Sequence, residues 1–270
     1  MTGALSPGRP KTTGVLSSEW LKLRSVRSTH HALGAAAAIV LLGAVWTYYV
    51  GTVWDGRDPA ARAAFRAAAP EDGFLPFLQM VLGVLGVLAI TSEYATGMVR
   101  TSLVAVPDRR RLFLAKTGVL TVLTLVVGHA VLLATYAVSR IIAGERTMGF
   151  NAGPFTADLP LLLAAGLSVT VLALFGLGMG TVTRSTAGGV ASVAVLLFVL
   201  PGVAGVLPEP WNTRVFALFP IALVRQIAGD PVATQAGAGA LPPLVALAVL
   251  AGYAVVAVAA GMVSFTRRDA

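Results

Sequence analysis

Six uninterrupted apolar stretches, separated by polar segments, organise the chain: Ala32 to Trp54, Phe74 to Ile90, Leu114 to Val138, Leu159 to Val182, Ala187 to Leu207 and Leu241 to Phe265. A bilayer core of about 30 Å is crossed by about 20 helical residues. Each stretch therefore predicts a transmembrane helix, the second being marginal in length. A seventh run, Val215 to Val224, is flanked by Arg214 and Arg225 and contains Pro220, and is too short to span. It predicts an interfacial or re-entrant element between the fifth and sixth spans. Pro201 predicts a kink in the fifth span. The fold class expected is all-α integral membrane protein: six transmembrane helices, an N-terminal interfacial helix and that short element.

Two polar segments carry helical patterns of their own. In Leu16 to Arg27, the residues Leu16, Trp20, Leu23 and, less closely, Val26 fall on one side at helical spacing, with Ser18, Lys22 and Ser25 elsewhere. This predicts a helix lying along a leaflet, its Trp at headgroup level and its basic residues toward anionic lipid; a solvated basic leader is the plainer alternative. The segment Thr91 to Lys116 predicts a short helix from Glu93 to about Val104. It is stopped before Pro107 and followed by Arg109, Arg110, Arg111 and Lys116. The organisation expected is a cytoplasmic segment 1–31, a transmembrane domain 32–265 with a cytoplasmic loop 91–116 and an external loop 208–240, and a cytoplasmic tail 266–270.

Composition agrees with the pattern. The chain is 56% hydrophobic and only 12% charged, with a mean hydropathy of +0.81, where a soluble domain carries about 25% charged residues. The net charge of +8 raises nucleic acid as a partner, but the basic residues lie between the apolar runs, so the charge speaks for topology and no nucleic acid is expected. With the N-terminus in the cytoplasm, 13 of the 20 Lys and Arg fall inside, which is the positive-inside bias. No cleavable signal is read at the start. The chain has no cysteine, which removes disulfide, thiolate-metal and cysteine-nucleophile chemistry.

Further readings are closed by missing groups. Ion-coupled transport places Asp, Glu or Lys in mid-membrane, and none of the six runs carries one in its middle. His129 is the one strongly ionisable side chain well inside a run; a hydrogen-bonded packing residue is the ordinary reading, and its role is left open. A phosphate-binding loop needs Gly-Lys followed by Ser or Thr, and no lysine here follows glycine. Gly166-Leu167-Ser168 lacks the second glycine of a nucleophile elbow. Gly176, Gly178, Gly180, Gly188 and Gly189 allow close helix approach but define no site.

The two patterned segments resemble the permease subunits of type-2 ABC transporters. Ser18-Glu19-Trp20-Leu21-Lys22-Leu23-Arg24 is similar to that family's acidic-aromatic-aliphatic-Lys stretch before the first span. Glu93, Gly97, Leu103, Pro107, Arg110 and Lys116 fit its pattern of Glu, Gly four residues on, a leucine-containing stretch, Pro-x-x-Arg and a Lys entering the third span. Met98 stands where many members have Thr, and no second Glu follows it. The resemblance implies a membrane permease of an ATP-driven exporter for a hydrophobic or amphipathic substrate, a non-catalytic subunit of the cytoplasmic membrane of a bacterium. It implies that the chain pairs with a second permease copy, binds no cofactor itself, and works with a separate ATPase subunit that holds ATP and Mg. The coupling residues implied are Glu93, Gly97, Arg100, Pro107, Arg110 and Lys116, with Glu19, Trp20 and Lys22 on the interfacial helix. A nucleotide-independent channel or transporter, or an intramembrane enzyme, is the alternative.

Overall fold

The computed structural model describes residues 12–230 and 239–267. The first eleven residues of the N-terminal segment, residues 231–238 of the loop before the last span and the tail residues 268–270 lie outside that range. Among the described residues every regular element is helical. They are α1 (Thr12–Ser25), α2 (Arg27–Asp55), α3 (Pro59–Ala63), α4 (Pro70–Gly73), α5 (Leu75–Thr96), α6 (Met98–Ala105), α7 (Arg109–Ala143) and α8 (Phe155–Thr183). There follow α9 (Thr186–Ala194), a π-helical turn (Val195–Val199), α10 (Leu200–Gly205), α11 (Trp211–Phe216), α12 (Pro220–Ile227) and α13 (Pro243–Arg267). Among the described residues, six helical stretches are long and apolar enough to cross a membrane: α2, α5, α7, α8, α9 through α10, and α13. The chain is a multi-pass membrane protein of all-α class. We call the end of the bundle holding α1 and α6 the near end, and the end holding α3, α4, α11 and α12 the far end.

The spans are not equivalent. In α8, 72% of the most apolar window is buried and in α5 61%, against 28–33% in the other four. Those two helices form the centre, and the rest keep broad apolar faces for lipid or a partner. Glycine lets the central pair close up. A Cβ on Gly86 would run into the Ala173 carbonyl, and one on Gly176 into the carbonyl of Gly83. Because association inside lipid depends on dispersion contact rather than on expelling water, backbones that approach this closely are themselves the stabilising feature. Gly178 does the same for α13, whose Ala257 carbonyl would collide with a Cβ there. Gln79 on α5 adds a polar tie, its Nε2 donating to Ser168 Oγ on α8 at 2.8 Å with both residues fully buried.

Several boundaries differ from the sequence expectation. The helix expected from Glu93 to Val104 is two helices: α5 runs on through Glu93 to Thr96, Gly97 turns the chain with φ +70°, and α6 starts at Met98. Glycine alone takes a left-handed backbone without a Cβ penalty, and the helix ends there. The expected kink at Pro201 takes the form of a π turn. Proline has no N–H to continue the ladder, and the Leu200 amide reaches back to the Val195 carbonyl instead. The run Val215 to Val224 is divided, α11 ending at Phe216 and Pro220 opening α12 at a position where its missing N–H costs nothing. The third span is the middle of a 35-residue helix that extends past the apolar run at both ends. On α1, the face turned to the bundle is Val15, Glu19 and Leu23, whereas Leu16 and Trp20 are exposed. The apolar stripe read from the sequence is therefore split, because Glu19 is drawn in by a buried partner.

Candidate coupling site

Four ionised side chains meet at the near end. Lys116, in the second turn of α7, sends its Nζ to Glu19 Oε2 at 2.6 Å and to Glu93 Oε1 at 2.8 Å. Lys22 sends its Nζ to Glu19 Oε1 at 2.6 Å, and stands 3.4 Å from Glu93 Oε1. It also donates to Ser102 Oγ on α6 at 2.9 Å. The cluster joins α1, α5, α6 and α7, elements that the chain delivers from nearly a hundred residues apart. It is dry: side-chain exposure is 1% for Glu19, 3% for Lys116 and 7% for Glu93, with Lys22 alone reaching solvent at 25%.

Two carboxylates and two ammonium groups cancel in charge, and that makes the burial tolerable. An isolated buried charge is so unfavourable that it would neutralise instead. Burial opposes ionisation of Glu19, but Lys116 and Lys22 outweigh it and hold its pKa below the usual carboxylate value. Burial likewise opposes the charge on Lys22, and Glu19 and Glu93 more than restore it, raising its pKa. Each opposite charge within hydrogen-bond reach favours the ionised form of the other. The spacing that builds the site is local on α1, where Val15, Glu19, Lys22 and Leu23 share one face. On α5, Glu93 is placed inward beside Ile90 one turn earlier.

The other residues singled out in the sequence lie apart from this cluster. Gly97 forms the left-handed joint between α5 and α6. Arg100 is exposed on α6, while the adjacent Val99 is buried in the core. Pro107 is exposed in the connection to α7, and Arg110 is exposed in the first turn of α7. Trp20 lies on the outward face of α1. Thus Met98, Arg100 and Val104 on α6, Pro107 in the connection and Arg110 at the start of α7 are all exposed, and Ser102 ties α6 to the four-charge cluster.

Sequence reading passed over two structural parts. Asp108 caps α7, its carboxylate accepting from the Arg111 amide at 3.1 Å, so the Pro-x-x-Arg stretch is a turn followed by a capped helix start. The signal was present, since Asp directly precedes the helix. Ser102 fixes α6 to Lys22, and no spacing rule points to it. His129 donates from Nδ1 to the Leu125 carbonyl at 2.8 Å. Its ring lies against Gly166, where a Cβ would come within 2.5 Å of the imidazole. That is a packing contact between α7 and α8.

A second set of charges occupies the far end. Glu71 on α4 pairs with Arg140 on α7 at 3.1 Å, and Arg140 also meets Asp158 on α8 at 3.1 Å. Asp72 meets Arg225 on α12 at 2.8 Å, and Arg225 also holds Asp230. All of these except Asp230 border a cavity of about 490 Å³ that Arg66 and Phe150 also line.

With this geometry in view, the comparison with protein families is direct. The family model described as ABC-2 family transporter protein matches residues 15–202, from α1 into the fifth span. That is well over half of the chain, and the protein belongs to the ABC-2 family of transporter permeases. Members of this family are membrane subunits that work with an ATP-binding subunit. No curated protein matches the chain.

Proposed function

We propose that the chain is the membrane half of an ATP-driven exporter in a bacterial cytoplasmic membrane, with both termini in the cytoplasm and the near end on that side. Two permease copies pair, and a separate ATPase subunit holding ATP and Mg docks on the exposed surface of α6 and the start of α7. The substrate proposed is a hydrophobic or amphipathic molecule, in keeping with spans whose exposed faces are apolar. The observation that carries the reading is the buried cluster of Glu19, Lys22, Glu93 and Lys116. It ties α6 to one long span, the central span α5 and the helix α1, so that a push on α6 is passed to the bundle as a body rather than absorbed locally. A conformational change needs differential contact between two states, and a fully compensated, rigid joint is the part that transmits rather than yields.

The test is to tag the chain, solubilise its host membranes gently and identify what copurifies in near-stoichiometric amount. A nucleotide-binding subunit that is retained by the native chain, lost with Arg110→Glu and Arg100→Glu together, and active as an ATPase only when retained is the expected outcome. Recovery of the chain alone, together with solute flux in liposomes that needs no nucleotide, would replace this reading with a channel.

A further inference from the structure

The bend between α1 and α2 forms a groove of about 170 Å³ lined by Trp20, Leu23, Arg24, Thr29, His30, Leu33 and, from α7, Leu123. Along α2 its lining passes from Thr29 and His30, the polar end at the helix start, to Leu33 one turn on. Leu23 and Leu123 add apolar surface, and Arg24 adds a charge from α1. Three independent features of the polar end favour an anion. The 29-residue helix α2 begins there after Val26, which is extended and offers no side chain to cap the first turn, although the Thr29 amide donates to the Val26 carbonyl at 3.1 Å; the dipole of such a terminus attracts negative charge. Thr29, third residue of α2, is 4% exposed, and its hydroxyl has no hydrogen-bond partner. A buried hydroxyl left in that condition is costly, which marks a position built to meet an acceptor. Arg24, exposed on the last turn of α1, supplies a cation whose planar fork suits phosphate oxygens.

The groove also lies at the right depth. The apolar run of the first span starts at Ala32, within one turn of Thr29, and Trp20 and Leu21 are exposed on α1 beside it. The polar end therefore sits at headgroup level and the leucine end at the level of acyl chains. We propose that this elbow is a site for one anionic phospholipid, its phosphate held by Arg24, the Thr29 hydroxyl and the start of α2, and an acyl chain lying along Leu33 and Leu123. The ligand would fill the corner between the interfacial helix and the first span, and set the angle at which α1 presents Glu19 to the four-charge cluster. The proposal stands apart from the transport reading, since it concerns the membrane and not the ATPase.

Native mass spectrometry of the delipidated full chain in detergent tests it, titrating with phosphatidylglycerol, phosphatidylcholine and inorganic phosphate. One phosphatidylglycerol should be retained per chain, about tenfold more tightly than phosphatidylcholine, the size of effect one charge-assisted contact supplies. Thr29→Val keeps the shape and removes only the hydroxyl, and should weaken phosphatidylglycerol about threefold to tenfold while leaving phosphatidylcholine unchanged. Arg24→Gln should do the same, and Arg267→Gln should not. Equal binding of the two lipids, or phosphatidylglycerol binding that neither substitution alters, overturns the proposal. Inorganic phosphate competing at concentrations comparable to the lipid also overturns it, showing a site for free phosphate. A photoactivatable phosphatidylglycerol, which reports on the native chain alone, should label peptides of α1, the start of α2 and the Leu123 region; labelling confined to other spans overturns the assignment.

Discussion

The two ends of the bundle solve the same problem of polar burial in opposite ways. At the near end, two Glu and two Lys form one compact cluster in which the buried charges are matched at 2.6–2.8 Å. At the far end, the carboxylates share two arginines around an open cavity. Glu71 there keeps a buried Oε2 with no partner, and Arg140 a buried Nε. The protonation behaviour follows. Glu19 is held below the usual carboxylate pKa by its lysines. Burial pushes Glu71 and Asp72 above it, because Arg140 and Arg225 do not fully offset the loss of water. A closed cluster behaves as a fastening, and an incompletely matched one as a place where the structure gives.

The largest difference is expected on removing the shared cation of each end. Lys116→Met leaves two buried carboxylates facing each other and should destabilise the chain by about 3–5 kcal/mol, read as a fall in thermal midpoint in detergent. Arg140→Met should cost about 1–3 kcal/mol, since burial already disfavours the charge on Glu71 and Asp158 is partly solvated. Equal losses would erase the contrast. Replacing all four near-end residues together, with Glu19→Leu, Lys22→Leu, Glu93→Leu and Lys116→Met, should recover most of the stability. It should not recover nucleotide-driven activity if the cluster transmits force.

A smaller effect is expected at the joint beside the near-end cluster. Gly97→Ala meets open space but must adopt φ +70°, and should cost about 1–2 kcal/mol by chemical denaturation. Smaller still, Arg110→Glu on the exposed surface should change stability by less than about 0.5 kcal/mol while abolishing stimulation of the partner's ATPase. A large stability loss there would place Arg110 in the fold rather than on the docking face.

The pH response separates the ends most gently. Glu19, with its lowered pKa, contributes stability above the ordinary carboxylate value that is lost only as pH falls through its folded value. Lys22, with its raised pKa, contributes stability that is lost only in the alkaline range, as pH rises through its folded value. Neither of these two groups gives up its contribution in mild acid. Glu71 and Asp72, with raised values, bind protons more readily folded than unfolded, so acidification from neutrality toward the ordinary carboxylate range steadies the far end. Hydrogen exchange corrected for its intrinsic pH dependence should show α4 better protected at mildly acidic pH than at neutral pH, and α1 unchanged. The reverse pattern would exchange the roles of the two ends.

Much of the fold was legible because length and apolarity are local properties. A run such as Leu159 to Val182 has only one stable form in lipid, and it is the centre of α8. The break at Gly97 was also written in the sequence, as a glycine at a helix end, but an apolar and polar pattern continuous from Glu93 to Val104 concealed it. The meeting of Glu19, Glu93 and Lys116 was not legible. The resemblance named each residue, yet nothing in the spacing says that side chains 97 positions apart meet in one buried ion pair. The face of α1 was misjudged for the same reason, since an inward carboxylate cannot be read until its partner is placed. The far-end pairs escaped because charges between spans read as markers of topology, and their pairing depends on how α4 and α12 fold back on the bundle.

The length of α7 connects these regions. Lys116 and Arg140 stand on a single unbroken helix, about 24 residues and so about 36 Å apart at 1.5 Å per residue. That is close to the thickness of the hydrocarbon layer. The cation that fastens one surface of the membrane and the cation that steadies the other are thus two ends of one rod. A tilt about its middle displaces them in opposite directions, and a signal delivered on one side needs no relay of side chains to be felt on the other.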